Sequence, residues 1–303
     1  MTTFAPAESE RESVPTGLRR LSLSRRRRVT DAVAKVLMWL SLVIAVVPLG
    51  LVTYYVIIKG AGILSWEFLT ERIPRQAQTE GGGVGPAVVG TILITGMAAL
   101  ISIPLGVLGA IFLNEYGKQS ALARTIRTMS DVMTGVPSVV MGLFVYIAFV
   151  LLTGEQNGLA GALALACLML PVVIRTSEEM LRLVPDELRQ ASLALGARKW
   201  KTTVSVVLPA AISGITSGAL LAIARAAGET APIVLVVGLT YRVNWSLFDG
   251  NTALPAQIFR NASEPFPAAV DRAWGAALTL VAIVLITTLI GRFIANRFAI
   301  KER

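Results

Sequence analysis

Residues 202–241 read TTVSVVLPAAISGITSGALLAIARAAGETAPIVLVVGLTY, with Arg225 and Glu229 as the only charges. A run this apolar favours hydrocarbon over water, where every backbone N–H and C=O must be satisfied inside a helix or a closed barrel. Splitting the run at its charges leaves a second piece of 12 residues, short of the roughly 20 that a span needs. The run therefore predicts one long membrane-spanning helix starting near Pro209, with both charges inside the membrane.

The rest of the chain extends this pattern. Of 303 residues, 54% are apolar and 16% charged, where a soluble domain carries about a quarter charged residues. Uncharged runs cover Val36–Ile58, Ala87–Leu113, Val132–Leu152 and Ala273–Gly291, each long enough or nearly so for the roughly 30 Å hydrocarbon layer. A shorter run, Leu159–Ile174, borrows length from its flanks. The expected architecture is all-α integral membrane with six transmembrane helices. A basic, largely disordered tail is expected over 1–35, a first span at 36–58, an external loop at 59–86, the core at 87–291 and a short tail at 292–303. Gly81-Gly82-Gly83-Val84-Gly85-Pro86 reads as a flexible linker, and Asp131 as a residue heading the third span.

Charge sets the sidedness. The N-terminal tail, 114–131, 175–201 and the C-terminal tail hold 21 of the 28 Lys and Arg residues, and the alternate loops hold six. Net charge is +10 on one side and −1 on the other. Positive loops stay inside, so both termini are expected in the cytoplasm. The Arg25-Arg26-Arg27-Arg28 run then anchors topology, and no nucleic-acid partner is needed to explain it. There is no histidine and one cysteine, Cys167. That removes Ser-His-Asp and Cys-His catalysis, His-ligated metals and an intrachain disulfide. No catalytic or metal-ligating set is expected, and His-based proton coupling is excluded.

The buried charges and the loop before them carry the functional signal. Arg225 and Glu229 are spaced i,i+4 and can pair, with Gly214, Gly218 and Ala222 stepping down the same face as a helix-packing stripe. Two readings stand: an ion pair that locks helix packing, or a cationic site for a passing anion, since the Arg fork suits phosphate-like oxyanions. In 185–196, acids follow Pro185, then Leu188, Ala191, Ser192 and Leu195 recur at helical spacing before Gly196. That is a short helix with a small, apolar face, suited either to a partner's groove or to lipid headgroups.

The spacing Gln190-Ala191-Ser192, Gly196, Val206, Leu208-Pro209 resembles the EAA loop of ABC importer permeases, with Gln190 in place of the usual Glu and Ser192 in place of Ala. The resemblance implies a coupling helix docking on an ATP-binding subunit through Glu187, Leu188, Gln190, Ala191, Ser192, Leu195 and Gly196. The stretch Ala224 to Pro232, including Arg225, Glu229 and Thr230, is similar to the signature of phosphate ABC transporter permeases, and Thr230-Ala231-Pro232 favours the PstA type over the PstC type. Leu113-Asn114-Glu115-Tyr116-Gly117 and Gly135 to Gly142 agree. The resemblance implies a MetI-like core, a substrate pathway past Arg225, Glu229 and Thr230, and a bacterial plasma-membrane location. Implied partners are a second permease, an ATP-binding subunit dimer, an extracytoplasmic phosphate-binding protein and membrane lipid. No Gly-x-x-x-x-Gly-Lys-Ser/Thr stretch occurs, so ATP and magnesium would be bound by the partner and no cofactor by this chain. Other readings are a permease for sulfate, molybdate or an organic solute, a secondary anion transporter or channel, and a membrane-anchored scaffold.

Overall fold

The computed structural model describes residues 25–298, and among them every regular element is helical. The chain divides into two units, Met1–Thr53 and Tyr54–Arg303. Most of the first is the opening part of α1 (Arg25–Ala61). Residues 25–35 are helical, where a largely disordered tail was expected; residues 1–24 of that tail lie outside the described residues, as do 299–303. The apolar side chains of α1 from Val36 to Val52 are exposed, as a helix whose solvent is lipid requires.

The second unit follows in chain order. A short α2 (Trp66–Thr70) is capped by Ser65, whose hydroxyl accepts from the Phe68 N–H. The Gly-rich stretch after it is a packed entry into the next span, not a flexible linker. Gly83, Val84 and Gly85 donate backbone bonds to Arg72, Phe68 and Glu71 carbonyls. The buried Arg272 donates to the Ala77, Thr79 and Gly81 carbonyls.

Next comes α3 (Gly85–Ile111), which ends in a π-helical segment at Phe112–Gly117. The expected third span is bent. α4 (Ala121–Gly135) and the helical stretch from Ser138 to Thr153 meet at 108°. Pro137 has no N–H and pushes the residue before it out of the helical region, and Val136 is extended with ψ of 131°. The second arm runs through α5 (Ser138–Val145), a π-helical segment at Tyr146–Val150 and α6 (Leu151–Thr153). Asp131 therefore sits in the last part of α4, not at a helix start, and pairs with Arg175 at 2.7 Å.

The remaining elements are α7 (Gly158–Arg182), α8 (Asp186–Ala194), α9 (Lys199–Thr202), a π-helical segment at Thr203–Val207, α10 (Leu208–Ala227), α11 (Ala231–Val236), α12 (Leu254–Ala262) and α13 (Pro267–Phe298). Among the described residues, five helices are long and apolar enough to cross a membrane, and six if the bent pair is one span. α7 is the hub: Ala162, Leu165, Met169 and Val173 form one core with Ile94 and Ala98 of α3, Ala222 and Ala226 of α10, and Ile233 of α11. Small residues permit this. A methyl on Gly106 would lie 2.6 Å from Val173 Cγ1, and one on Gly142 would lie 2.6 Å from Pro232 Cα. With lipid as apolar as the core, such close packing supplies helix association.

Candidate functional site

The long helix expected from Pro209 is broken where its charges lie. It begins upstream, at Lys199, and ends at Ala227. Gly228 and Glu229 N–H groups then bond the Arg225 and Ala226 carbonyls in a tight closing turn. A new helix, α11, starts after Thr230, with Pro232 near its N-terminus, where a missing N–H costs nothing. Hydropathy continues across the break because Gly228, Glu229 and Thr230 bring a single charge between two apolar helices.

Arg225 and Glu229 remain neighbours across this turn, with Arg225 Nε 3.7 Å from Glu229 Oε1. That is an ion pair without a hydrogen bond. The Arg225 side chain is 69% exposed and that of Glu229 19%. Arg225 extends an exposed stripe on α10 with Ala210, Ser213, Ser217 and Leu221. Gly214, Gly218 and Ala222 do not share that stripe. They turn toward the core, Gly214 against Met180 and Gly218 against Thr176, where a methyl would lie 2.5 Å from Oγ1. They lie on a face adjacent to that of Arg225. A cavity of 210 Å³ on the far side of α10, between α3 and α13, is lined by Thr95, Ala99, Ala224, Ala227 and Thr288 among others. It holds no charged group.

At the other end of α10, the segment 186–196 forms α8 and a closing turn. Asp186 and Glu187 occupy the first turn, where the helix dipole favours acids. The end is a Schellman cap: Gly196 N–H bonds Leu193 O at 2.9 Å and Ala197 N–H bonds Ser192 O at 3.2 Å. Gly196 takes φ of +83°, which costs an L side chain about 1–2 kcal/mol. No residue of α8 is buried. Leu188, Leu193 and Leu195 are exposed, Leu195 by 90%, alongside Glu187, Gln190 and Ala191. Ser192 departs from the expected docking face: its hydroxyl turns inward to the Thr202 hydroxyl at 2.9 Å.

What holds α8 in place was not legible in its own residues. Arg189, between two expected docking residues, reaches inward. It donates to Glu115 Oε1 from Nε and Nη2 at 3.1 and 2.9 Å, to Leu181 O at 2.8 Å, to Asp186 Oδ1 at 3.1 Å and to the Val184 carbonyl. Beside it Glu178, 1% exposed, receives Arg127 and Arg182 at 2.7 Å each, with Arg175 at 3.8 Å. Isolated buried carboxylates are expensive, and each of these is matched by arginine. Glu115 carries no sequence signal of its own beyond the Leu113 to Gly117 stretch that resembles the family. The available signal was that 114–131 and 175–201 share one side and both carry acids among their arginines.

Among the described residues, no group of three or more His, Cys, Asp or Glu is placed to hold a metal ion. Cys167 is half-buried in α7 against the main core.

Comparison with known proteins follows this geometry. Residues 102–300 match the family described as binding-protein-dependent transport system inner membrane component. The chain is 44% identical over 285 residues to phosphate transport system permease protein PstA 1 of Mycobacterium tuberculosis (strain ATCC 25618 / H37Rv), covering 91% of each. It is 38% identical over 268 residues to PstA of Yersinia pestis, covering 88% of this chain and 90% of that one. Among solved structures, a chain of the bacterial alginate ABC transporter in complex with an alginate pentasaccharide-bound periplasmic protein aligns with TM-score 0.63 at 13% identity, over 90% of this chain and 97% of that one. The inward-facing MetNI methionine ABC transporter aligns with TM-score 0.56 at 21% identity, over 71% and 94%. At these identities the structural likeness is one of fold.

Proposed function

Because the chain belongs to the family of binding-protein-dependent transport system inner membrane components, we propose that it is the PstA-type permease subunit of an ATP-driven importer of inorganic phosphate. The observation that carries this reading is identity of 34–44% to proteins named as PstA phosphate permeases along most of the chain. The subunit is a multi-pass inner-membrane protein and is not itself an enzyme; ATP hydrolysis belongs to partner chains. A complete importer would add a second permease, two ATP-binding subunits and an extracytoplasmic phosphate-binding protein. The charge asymmetry supports a cytoplasmic location for the end bearing α8.

The chemistry assigned to the pathway follows from charge and exposure. An arginine at membrane depth costs at least about 2.5–3.5 kcal/mol on insertion scales and marks function by default. At about 4 Å and an effective permittivity of about 20, two unit charges attract by about 4 kcal/mol. Glu229 opposes an anion by a similar amount at similar distance. An arriving phosphate meets the exposed Arg225 before the recessed Glu229, so it is attracted at entry and not trapped. The loose 3.7 Å pair suits exchange of partners, with Thr230 at the adjacent helix break.

Coupling is assigned to α8. ATP binding would close the nucleotide-binding dimer, and the exposed face of Leu188, Gln190, Ala191 and Leu195 would carry that motion inward. Arg189 would pass it to Glu115 at the end of the α3 span. Uptake by the reconstituted complex in proteoliposomes, with phosphate against sulfate and with or without ATP, tests the reading. ATP-dependent accumulation of phosphate in preference to sulfate is expected. Preferential sulfate uptake, or phosphate uptake indifferent to ATP, overturns it.

A further inference from the structure

A cavity of 320 Å³ lies at the end of the bundle that bears α8, away from the Arg225 break. Lys118, Arg127, Arg182 and Arg189 line it, and Asp186 is the one acid in its lining. Asn114 and Gln119 add amides. Two of the four cations are already committed. Arg127 gives Nε to Glu178, Nη1 to Lys118 O and Nη2 to Leu113 O. Arg189 is divided among Glu115, Asp186 and two carbonyls. The other two have donors to spare. Among the described residues Lys118 enters no ion pair, and Arg182 gives only Nη2 to Glu178. Lys118 also has φ of +30°, the one positive φ outside glycine among the described residues, so the backbone holds it in a conformation L residues rarely adopt.

We propose that this cavity binds the phosphate group of an anion, with Lys118 and Arg182 as its principal ligands and the Gln119 amide as a further donor. Ammonium and guanidinium groups beside a polar wall are the chemistry that recognises phosphate. Its walls belong to the π-helical end of the α3 span, the turn at Lys118 and Gln119 that follows it, α4, α7 and α8. An anion held by Lys118 and Arg182 joins the turn before α4 to the end of α7, against which Arg189 seats α8, so occupancy stiffens the support of the docking helix. Only this consequence rests on the proposed coupling role; the binding does not. The phosphate can come from free inorganic phosphate, the transported product on this side, or from a lipid headgroup, and the two are separable.

The test uses the complete complex in nanodiscs, without nucleotide or binding protein. Radiolabelled inorganic phosphate binding is compared for the parent complex, K118A/R182A, K118E and R225A, in zwitterionic discs. Lys118→Glu is included because it disrupts no ion pair and reverses a charge in the cavity. Binding weakened at least tenfold by both cavity variants and preserved in R225A supports the site with free phosphate as ligand. If free phosphate does not bind, thermal stability is compared in discs with and without anionic lipid. Stabilisation by anionic lipid that both cavity variants lose supports the site with a headgroup as ligand. Binding lost only in R225A, or no difference between parent and cavity variants in either measurement, overturns the proposal. A parent complex that fails to import phosphate, yet shows the cavity-dependent binding, removes the transport reading and leaves this one standing.

Discussion

Arg189 of α8 and Glu115 at the end of the α3 span, 74 residues apart in sequence, meet through two hydrogen bonds to one carboxylate oxygen. Both side chains are largely buried, at 13% and 6% exposure. Removing one partner of such a pair costs about 3–5 kcal/mol, because the other charge is left buried and unmatched. Arg189→Ala is therefore expected to lower the thermal midpoint of the complex and to leave ATP hydrolysis without uptake. Glu115→Gln keeps an acceptor and should be milder. Hydrolysis and uptake measured on the same proteoliposomes decide this; equal coupling in parent and Arg189→Ala counts against a transmitting role.

Gly196 offers a cleaner probe of the docking helix. Nothing lies within 4 Å of a side chain added there, so a substitution acts through the backbone at φ of +83°. Asn tolerates that region better than Ala, and β-branched residues worst. Uptake per ATP hydrolysed should fall in the order Gly, Asn, Ala, Val, with complex assembly retained through Ala. A flat series would separate α8 geometry from coupling.

Arg225→Ala removes a side chain with no hydrogen bond to a described residue and a single loose ion pair. Assembly and thermal midpoint should change little, while phosphate uptake falls at least a hundredfold. Arg225→Lys keeps the charge without the planar fork and should retain partial uptake with a higher KM. Normal uptake by Arg225→Ala would remove Arg225 from the pathway.

Gly218 should respond sterically. Its methyl would contact Thr176 Oγ1 and Cβ at 2.5 and 2.7 Å, and over-packing of this kind costs about 1–3 kcal/mol. Gly218→Ala is expected to lower the thermal midpoint of the complex, with partial recovery in the double variant carrying Thr176→Ala. Additive losses from the two substitutions would show that the contact is not the cause.

The gap between expectation and structure is physically consistent. The cap at Gly196 and the short α8 were legible because each depends on residues within a few positions of one another. The bend at Pro137 and the break after Ala227 had local signals too, in Gly135-Val136-Pro137 and Thr230-Ala231-Pro232. Hydropathy averaged over a span passes across both, since the first interruption adds no charge and the second only Glu229. The face bearing Arg225 was misassigned for a related reason. Spacing says which residues stack along a helix, not where the neighbouring helices end their coverage. Ser192 was read outward on the same grounds, and Thr202 draws it in.

Composition and residue order along the chain are enough to make this protein helical and a membrane protein. Transfer to hydrocarbon is a sum over consecutive residues, and the positive loops flank the spans they orient. Packing in three dimensions pairs Arg189 with Glu115 and gathers Arg127, Arg175 and Arg182 at Glu178. Among the described residues it also leaves Lys118 and Arg182 with donors to spare. A chain with 28 basic and 19 acidic residues permits many pairings. Which are made depends on positions brought together by packing around α7, across separations that no local pattern encodes.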